Sequence, residues 1–427
     1  MKNWSENVQW NPKDILYPSS EQEVAEIVKE AIKSKRKIRA IGSGHSFTPV
    51  CATDDITISL DNMQNISRIG DSNIAYAQGG TKLYKLGAGL ENLGLAQENL
   101  GDINKQSVAG ALSTGTHGTG TRFGSISSQI EEVTFVNGKG EIHTVTYESD
   151  PDLFRSLQVS VGTLGIITGL KLRCIPAYNL HLKKKKEKLT DVLANLEKHN
   201  AENRNFEFYW LPHTEYTQTK YSNTIEQKGK ETSAAVAWFN EVFLENYMLE
   251  VICKIAKAIP SLNPAMSKLT AAFIGNEEKI KASHEVFATV RKVKFTEMEY
   301  SVPMEHYQTV MQELLRAFEK NKYAINFPIE NRFVMEDEPY LSTSYGRKSA
   351  YIACHAYKGV DNTKYFRDLE EIFQHYGGRP HWGKMHTCDA NYLSKQYAKW
   401  DVFHKIREEQ DPNKIFTNPH IEKIFGL

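Results

Sequence analysis

The sequence predicts an α+β protein with two lobes. Its 427 residues suffice for two or three domains at roughly 150 residues per domain. Between residues 56 and 172 short β-prone runs surround a helix-like stretch, which is typical of an α+β lobe. The apolar share is 40% and the charged share 24%, so a disordered or collagen-like chain is excluded.

The first lobe is predicted to begin with a helix, a strand and a glycine turn. Residues 20–36 carry apolar side chains at helical spacing, and Ser20 with Glu23 forms a capping box. A strand-like run over residues 38–41 follows and leads directly into the glycines of residues 42–44. The first unit is therefore helix, strand, turn.

Further elements are predicted from β-prone and helical runs. In the first lobe these are strands at 56–60, 74–77, 133–136, 142–145 and 166–168, and a helix at 82–93. In the second lobe they are a solvated strand face at 183–188, a helix at 189–199, a strand at 206–210 and a helical stretch at 241–275. We place the boundary near Ile175, so that residues 1–175 and 176–427 form the two domains.

Charge and cysteine content restrict the class of protein. Lysine and arginine number 52, as do aspartate and glutamate, so there is no overall basic field to attract nucleic acid or anionic lipid. The five cysteines are widely spread and contain no C-x-x-C pair, which favours neither a disulfide framework nor a cysteine zinc site. With no secretory pattern at the start of the sequence, we expect a cytoplasmic protein.

No integral membrane span is expected. The most apolar long stretch, residues 247–275, is interrupted by lysines and prolines, and it falls short of the roughly 20 apolar residues that a span requires. We interpret this stretch as a pair of buried helices.

Glycine is concentrated in one segment. Residues 107–124 contain Gly110, Gly115, Gly118, Gly120 and Gly124, interleaved with serine and threonine. Glycine lets main-chain N–H groups approach an anion, and the hydroxyls add donors. A ligand cradle is favoured over a set of plain turns, because a second glycine loop lies at residues 42–44.

Several common catalytic motifs are missing. The turn after residues 38–41 lacks the third glycine of the dinucleotide fingerprint, and Pro49 interrupts the helix that should follow. The sequence also contains no phosphate-binding G-x-x-x-x-G-K-[ST], no G-x-S-x-G nucleophile elbow and no H-E-x-x-H zinc helix. ATP hydrolysis, serine-hydrolase chemistry and zinc proteolysis lose their simplest support.

A third constellation lies in the second lobe. If residues 329–334 form a strand, Glu330 and Arg332 share one face and place a carboxylate beside a guanidinium. Such a pair can bind a polyol, although an isolated pair of this kind is usually a surface salt bridge. A lone histidine on a strand, such as His355, is likewise more often structural.

Taken together, the motifs resemble the FAD-linked aldonolactone oxidases and alditol oxidases, which are flavoproteins of the vanillyl-alcohol-oxidase type. The similarity extends from about residue 10 to residue 427. The matching segments, in order, are residues 42–46, 107–110, 115–120, 160–165, Glu330 with Arg332, 381–384 and 411–418. Their common order makes a chance match very unlikely.

The resemblance implies an α+β architecture with an FAD-binding domain of two lobes and a substrate domain whose sheet covers the flavin. It also implies that FAD is covalently attached through His45. The residues implied to bind the cofactor are Gly42, Ser43, Gly44, His45, Ser46, Ser107, Gly110, Ser113, Gly115, Thr116, His117, Gly118, Gly165, Ile167, His381 and Lys384.

The same resemblance implies the chemistry. Glu330, Arg332 and Lys384 would lie beside the reacting carbon, with Ser107 and His355 as further substrate-pocket residues. The implied reaction oxidises a sugar-1,4-lactone of the gulono, galactono or arabinono type at the hydroxyl carbon next to the carbonyl. Hydride passes to the flavin and then to O2 or another acceptor.

Three alternatives remain at this point. In the first alternative, the same site binds an alditol such as xylitol or sorbitol and oxidises it at a terminal CH2OH. A reductase on the same FAD lobe would accept NADPH, but it leaves Glu330, Arg332 and residues 381–384 unexplained. A non-enzymatic carbohydrate-binding protein would be colourless, and the glycines of residues 110–124 would then be redundant.

Overall fold

The computed structural model describes residues 1–227, 247–289 and 291–427. The strands are β1 (Asp14–Leu16), β2 (Ile38–Ile41), β3 (Ile56–Ser59), β4 (Ile66–Arg68), β5 (Ile74–Gln78), β6 (Leu95–Ala96), β7 (Ile130–Asn137), β8 (Ile142–Thr146), β9 (Gly165–Arg173), β10 (Ile175–Pro176), β11 (Asn179–Lys188), β12 (Asn205–Trp210), β13 (Tyr216–Ile225), β14 (Glu277–Ala282), β15 (Phe295–Pro303), β16 (Ile329–Val334), β17 (Ser349–Tyr357) and β18 (Arg379–Pro380).

The helices lie between and around these strands. They are α1 (Glu21–Ser34), α2 (Leu83–Asn92), α3 (Val108–Ser113), α4 (Pro151–Gln158), α5 (Leu189–Ala194), α6 (Leu196–Glu202), α7 (Leu249–Ala258), α8 (Asn263–Phe273), α9 (Ser283–Phe287), α10 (Tyr307–Asn321), α11 (Thr363–His375), α12 (Ala390–Gln396), α13 (Trp400–Gln410) and α14 (Pro419–Phe425). Helices and strands mix irregularly, as predicted for an α+β protein.

The first part of the chain forms two larger sheets around the predicted glycine turn, and β6 pairs with β10 in a small two-stranded sheet. A parallel sheet has the order β1-β3-β2, and an antiparallel sheet has the order β4-β5-β9-β7-β8. The Ser20 side chain caps α1 by accepting the Glu23 N–H at 3.2 Å, as the capping box predicts. The apolar side chains of α1 pack in one core with those of β2 and β3. This packing fixes the position of β2, and residues 42–46 follow directly after its end.

The second part is built on one large sheet. Its order is β14-β11-β13-β12-β16-β17-β15-β18. Strand β16 has the predicted bounds and lies in the interior of the sheet, between β12 and β17. Because alternate residues share a face, the Glu330 and Arg332 side chains project together from the middle of the sheet.

One strand prediction needs correction. The lysine run at 183–188 does form part of β11, but it is not simply a solvated face. Strand β11 is flanked by β13 and β14, so Lys184 is buried and its Nζ lies 2.8 Å from Glu277 Oε2. A neighbouring strand distant in sequence supplies the carboxylate that a buried ammonium requires.

Two helix predictions also need correction. The helix predicted at 189–199 is divided into α5 and α6. The apolar stretch at 247–275 forms α7 and α8, yet each helix buries only one face, and Val251 and Phe273 are 56% and 57% exposed. The predicted helical residues 241–246 lie outside the described residues. Within the described ranges, no helix combines the length and apolarity needed to cross a bilayer.

The C-terminal segment returns to the first lobe. Ile415 and Phe416 join the core formed by α1, β2 and β3. The buried Arg39 guanidinium donates to four carbonyl oxygens, those of Val50, Val161, Gly162 and Phe416. The buried Arg39 guanidinium therefore links the first lobe to the C-terminal segment at Phe416.

Candidate active site

A narrow cavity of about 120 Å³ lies at the end of β2. Its wall includes the loop after β2, the start of α3 and the start of β9. The predicted cofactor residues that line it are Gly42, Ser43, Gly44, His45, Ser46, Ser107, Gly110, Ser113, Gly165 and Ile167. The two glycine segments that sequence reasoning linked are thus brought to one site.

The close approach of the two segments depends on glycine. A Cβ on Gly42 would lie 2.2 Å from Ser107 Oγ, and Gly44 has a φ of +64°. Ser107 accepts the Gly110 N–H at 3.3 Å and caps α3. Its hydroxyl is therefore engaged at the narrow cavity, and the residue does not line the larger cavity beside Glu330.

A larger cavity of about 650 Å³ adjoins the narrow one. Four residues line both: His45, Ser46, Gln106 and Thr114. The predicted site residues on the larger wall are His45, Ser46, Thr116, His117, Glu330, Arg332, His355, His381 and Lys384. Of the predicted site residues, Gly115 and Gly118 line neither cavity.

Gly115 and Gly118 have evident structural tasks instead. Gly115 follows α3 with a φ of +70°, a conformation that favours glycine. A Cβ on Gly118 would lie 2.5 Å from the carbonyl oxygen of Leu100. These two glycines allow the turn and the packing behind the cavities.

Glu330 and Arg332 form an ion pair on the wall of the larger cavity. Arg332 Nη2 lies 2.5 Å from Glu330 Oε1, and the side chains are only 9% and 8% exposed. Burial is the main cause that raises the pKa of Glu330; the nearby carboxylates of Glu207 and Asp102 add to it, and together they outweigh Arg332. Glu330 is thus more readily protonated than an ordinary carboxylate.

Lys384 and His355 converge on a second carboxylate of this wall. Lys384 Nζ lies 2.5 Å from Glu297 Oε2, and His355 Nε2 lies 3.6 Å from Glu297 Oε1. Burial alone would raise the pKa of Glu297, but the Lys384 and His355 charges outweigh it and lower that pKa to about 2. Glu297 therefore remains ionised, and its charge compensates Lys384.

His117 and His381 flank a third carboxylate, Glu299. His117 donates from Nδ1 to the Gly118 carbonyl at 2.9 Å, and its Nε2 lies 3.1 Å from Glu299 Oε1. Burial lowers the pKa of His381 to about 4, and its Nδ1 accepts the Gly383 N–H at 3.0 Å. His381 is consequently a neutral imidazole held in one orientation.

Comparison with known families identifies the chain. The model of the D-arabinono-1,4-lactone oxidase family matches residues 170–424, more than half of the sequence. The chain belongs to the D-arabinono-1,4-lactone oxidase family. An FAD binding domain model matches residues 12–146. This member of the family is therefore an FAD-dependent oxidoreductase, and the predicted family resemblance is confirmed.

Relatives match over nearly their full length. L-gulono-1,4-lactone dehydrogenase of Mycobacterium tuberculosis (strain H37Rv) is 35% identical, with 99% of this chain and 98% of that protein covered. L-gulonolactone oxidase of Bos taurus is 29% identical, with 99% and 98% covered. D-arabinono-1,4-lactone oxidase of Kluyveromyces lactis is 25% identical, with 97% and 94% covered. Similarity to this family thus extends across both parts of the chain.

Solved structures confirm the predicted fold. Cholesterol oxidase of Brevibacterium sterolicum superimposes with a TM-score of 0.85 at 19% identity, covering 99% of this chain and 96% of that one. A solvent-stable cholesterol oxidase gives 0.82 at 18% identity, covering 100% and 97%. This family member has the vanillyl-alcohol-oxidase type of FAD fold.

The narrow cavity has features that suit the FAD of this family. Among the described residues, no hydrogen bond within the protein uses the main-chain N–H groups of residues 43–46, so they are available to an anion such as a pyrophosphate. A Cβ on Gly80 would lie 1.8 Å from the Leu60 carbonyl, so this wall also depends on glycine. Lys82 contributes a cation, 2.7 Å from Asp61.

Sequence reasoning missed several polar residues of this family member's larger cavity or its wall, and four of them lie on strands β12 and β15. They are Glu207, Tyr209, Glu297 and Glu299. Glu207 and Tyr209 occupy alternate positions of β12, and Glu297 and Glu299 occupy alternate positions of β15. Polar side chains that recur with period two in a largely buried strand are the signal that would have found them.

Proposed function

We propose that this enzyme oxidises a sugar-1,4-lactone at the hydroxyl carbon next to the lactone carbonyl. The observation that carries the proposal is the buried Glu330–Arg332 pair, which faces a cavity of about 650 Å³ beside the narrow cavity of the glycine loops. The names of the relatives support a lactone substrate, since they include L-gulono-1,4-lactone dehydrogenase and D-arabinono-1,4-lactone oxidase.

Arg332 and Glu330 have different roles in the reaction. The Arg332 fork donates to substrate oxygens and stabilises the negative charge that develops on the hydroxyl oxygen as its proton leaves. Glu330 accepts a hydrogen bond from that hydroxyl and then its proton. The raised pKa of Glu330 suits this task, because a proton acceptor works best when its pKa approaches the working pH.

The rest of the wall orients the substrate and holds charge. His355 donates from Nδ1 to the Pro328 carbonyl at 2.9 Å, which directs its Nε2 towards the cavity wall at Glu297. Lys384 adds a fixed cation close to His45 and the narrow cavity. When bound, FAD would supply the hydride acceptor of the reaction, and O2 or another oxidant would take up the electrons.

We also propose that His45 carries FAD covalently. His45 lines both cavities and stacks on Trp4 with ring centroids 5.8 Å apart. Burial, assisted by the cations of Lys384, Lys82 and Lys105, lowers the pKa of His45 to about 4. The imidazole is therefore neutral at physiological pH, with a lone pair free to form a bond to the flavin.

The covalent link can be tested by acid precipitation. We expect the yellow colour of the wild-type protein to stay with the pellet, and that of His45→Ala to move into the supernatant. The control is His143→Ala, which removes a histidine that is 42% exposed on the first lobe. Wild-type colour in the supernatant contradicts the covalent bond while retaining the flavoenzyme.

Substrate choice is tested by comparing specificity constants. We expect kcat/KM to be higher for L-gulono-, L-galactono- or D-arabinono-1,4-lactone than for xylitol, because the polar groups of the wall are set to pair with one substrate class. Initial rates with a dye acceptor measure all four substrates. A preference for xylitol of about tenfold or more contradicts the lactone assignment and supports an alditol oxidase.

Two further inferences concern the bounds of the domains and the cellular location of the protein. We infer that residues 1–175 form the FAD domain and residues 176–427 the substrate domain, since the large sheet begins at Asn179. We infer a reducing, cytoplasmic location, because all five cysteines are free thiols. Fractionation of the source cells tests the location.

A further inference from the structure

Strand β12 places one partner beside each member of the Glu330–Arg332 pair. The antiparallel register sets Glu207 opposite Arg332 and Tyr209 opposite Glu330. The Tyr209 hydroxyl donates to Glu330 Oε1 at 2.5 Å, and Arg332 Nε donates to Glu207 Oε2 at 2.9 Å. Each polar end of the pair is thus held by the neighbouring strand as well as by its partner.

The next strand adds a cation behind these partners. Lys220 of β13 lies opposite Glu207, and its Nζ donates to Glu207 Oε1 at 2.8 Å and to the Tyr209 oxygen at 3.2 Å. Since Lys220 donates to Tyr209 and Tyr209 donates to Glu330, the groups form a directed chain that polarises the tyrosine hydroxyl.

Glu207 and Lys220 lie behind the cavity that would hold the substrate. Both line a small separate cavity of about 30 Å³ and do not line the 650 Å³ cavity. Of this hydrogen-bonded group, Tyr209, Glu330 and Arg332 line the 650 Å³ cavity. The side chains of Glu207 and Lys220 are each 12% exposed. Buried charges of this kind are costly unless paired, and here every one of them has a partner.

We propose that Tyr209 and Glu207 are positioning residues: Tyr209 holds Glu330 in its ionised, proton-accepting form, and Glu207 fixes the orientation of the Arg332 fork. Lys220 links the two. This inference rests on the proposed function, because it assigns Glu330 the role of proton acceptor.

The groups that surround Glu330 determine the expected sign. Arg332 lies on the same strand, Tyr209 and Glu207 on β12, His355 on β17, Glu297 on β15, and Asp102 with its partner Arg291 in the adjoining loops. One side-chain oxygen or nitrogen atom each of Glu330, Glu297 and His355 lies within 4.8 Å of the other two. The carboxylates of Glu207, Asp102 and Glu297 oppose ionisation of Glu330, whereas Arg332, His355 and the Tyr209 hydrogen bond favour it.

The test is the pH dependence of kcat/KM in two variants. Loss of a donor to the carboxylate favours its protonated form, so Tyr209→Phe is expected to move the acidic limb to higher pH by about one unit. Glu207→Gln removes a neighbouring negative charge, so it is expected to move that limb to lower pH and to lower kcat/KM about tenfold. A general defect in folding does not produce opposite shifts.

A matched control lies in the same sheet. The Tyr221 hydroxyl of β13 also donates a hydrogen bond to a partly buried carboxylate, at Glu187 Oε2, over 2.6 Å. Tyr221 lines neither cavity of the site. Tyr221→Phe is expected to leave the pH profile within about 0.2 unit of the wild type. Shifts of Tyr209→Phe and Glu207→Gln in the same direction, or no shift in a folded Tyr209→Phe, overturn the inference.

If the proposed function is wrong, the wild-type enzyme will oxidise none of the lactones, and this outcome is distinct from the pH shifts described above. In that case the infrared C=O band of protonated Glu330, assigned by its loss in Glu330→Gln, is titrated instead. A higher midpoint in Tyr209→Phe than in wild type supports the inference, and an equal midpoint overturns it.

Discussion

Glu330→Gln and Arg332→Ala are each expected to leave the protein folded and yellow while kcat/KM for the lactone falls by roughly two orders of magnitude or more. That is the scale for losing one preorganised polar group at a reacting centre. Glutamine keeps the size of Glu330 but cannot accept the substrate proton, and alanine removes the donor fork of Arg332. Steady-state rates with a dye acceptor and the flavin spectrum measure both effects.

The two residues are expected to act as a unit. Because Arg332 contacts Glu330 directly at 2.5 Å, the double variant should lose about as much activity as the worse single variant rather than the product of both losses. The control pair is Glu131 and Arg173, which make a 3.1 Å ion pair but are 42% and 55% exposed. Near-normal turnover in both site variants would remove the pair from the active site.

Arg39→Met is expected to cause the largest loss of stability. The buried guanidinium donates to four main-chain carbonyls, and methionine leaves all four without this donor. Each unsatisfied buried acceptor costs roughly 1–3 kcal/mol, so the four acceptors give a total loss of about 4–12 kcal/mol. For 427 residues each kcal/mol lowers Tm by roughly 1 °C, so a fall in Tm of roughly 4–13 °C is expected. Thermal unfolding followed by circular dichroism measures the change.

Arg68→Met is the matched control for this loss. Arg68 also donates to three backbone carbonyls. Those of Ser72 at 2.8 Å and Asp71 at 2.9 Å are exposed, and that of Leu93, at 3.4 Å, is only partly buried. Water can replace them, so Tm should change little. Equal Tm values for Arg39→Met and wild type would show that the buried guanidinium contributes no stability. The Val161 and Gly162 carbonyls belong to residues of the narrow cavity, so a lower content of incorporated flavin per protein chain is also expected in Arg39→Met.

Local sequence patterns predicted those parts of the site that depend on one segment. The spacing of Glu330 and Arg332 required only that β16 be a strand, because two-residue periodicity then places both side chains on one face. The glycine turn at residues 42–44 required only that a strand precede it. In both cases the chemistry follows from neighbours along the chain.

Patterns that depend on the order of strands were not predicted. Glu207 and Tyr209 become part of the site because β12 pairs with β16, and Lys184 is buried because β14 pairs with β11. Neither pairing connects strands that are adjacent in sequence. The charged run at 183–188 therefore looked solvated, and Glu207 looked like an ordinary residue of the predicted strand at 206–210.

The glycine segment shows the same limit within one stretch of chain. Of its glycines, Gly110 lines the narrow cavity, whereas Gly120 has a φ of +128° and its N–H donates to the Phe333 carbonyl at 2.7 Å. Composition predicted that backbone close approach matters here. It did not predict which glycine approaches a ligand and which approaches β16.

The return of the C-terminal segment to α1 and β2 has a consequence for synthesis of the chain. Arg39 and Phe416 are 377 positions apart, so the nucleotide-binding lobe lacks part of its interior while the second lobe is still being translated. At about 5–20 residues per second, that interval lasts on the order of 10–50 s. During this time the nascent lobe exposes the apolar surface that Ile415 and Phe416 later cover, and Arg39 lacks one of its four acceptors.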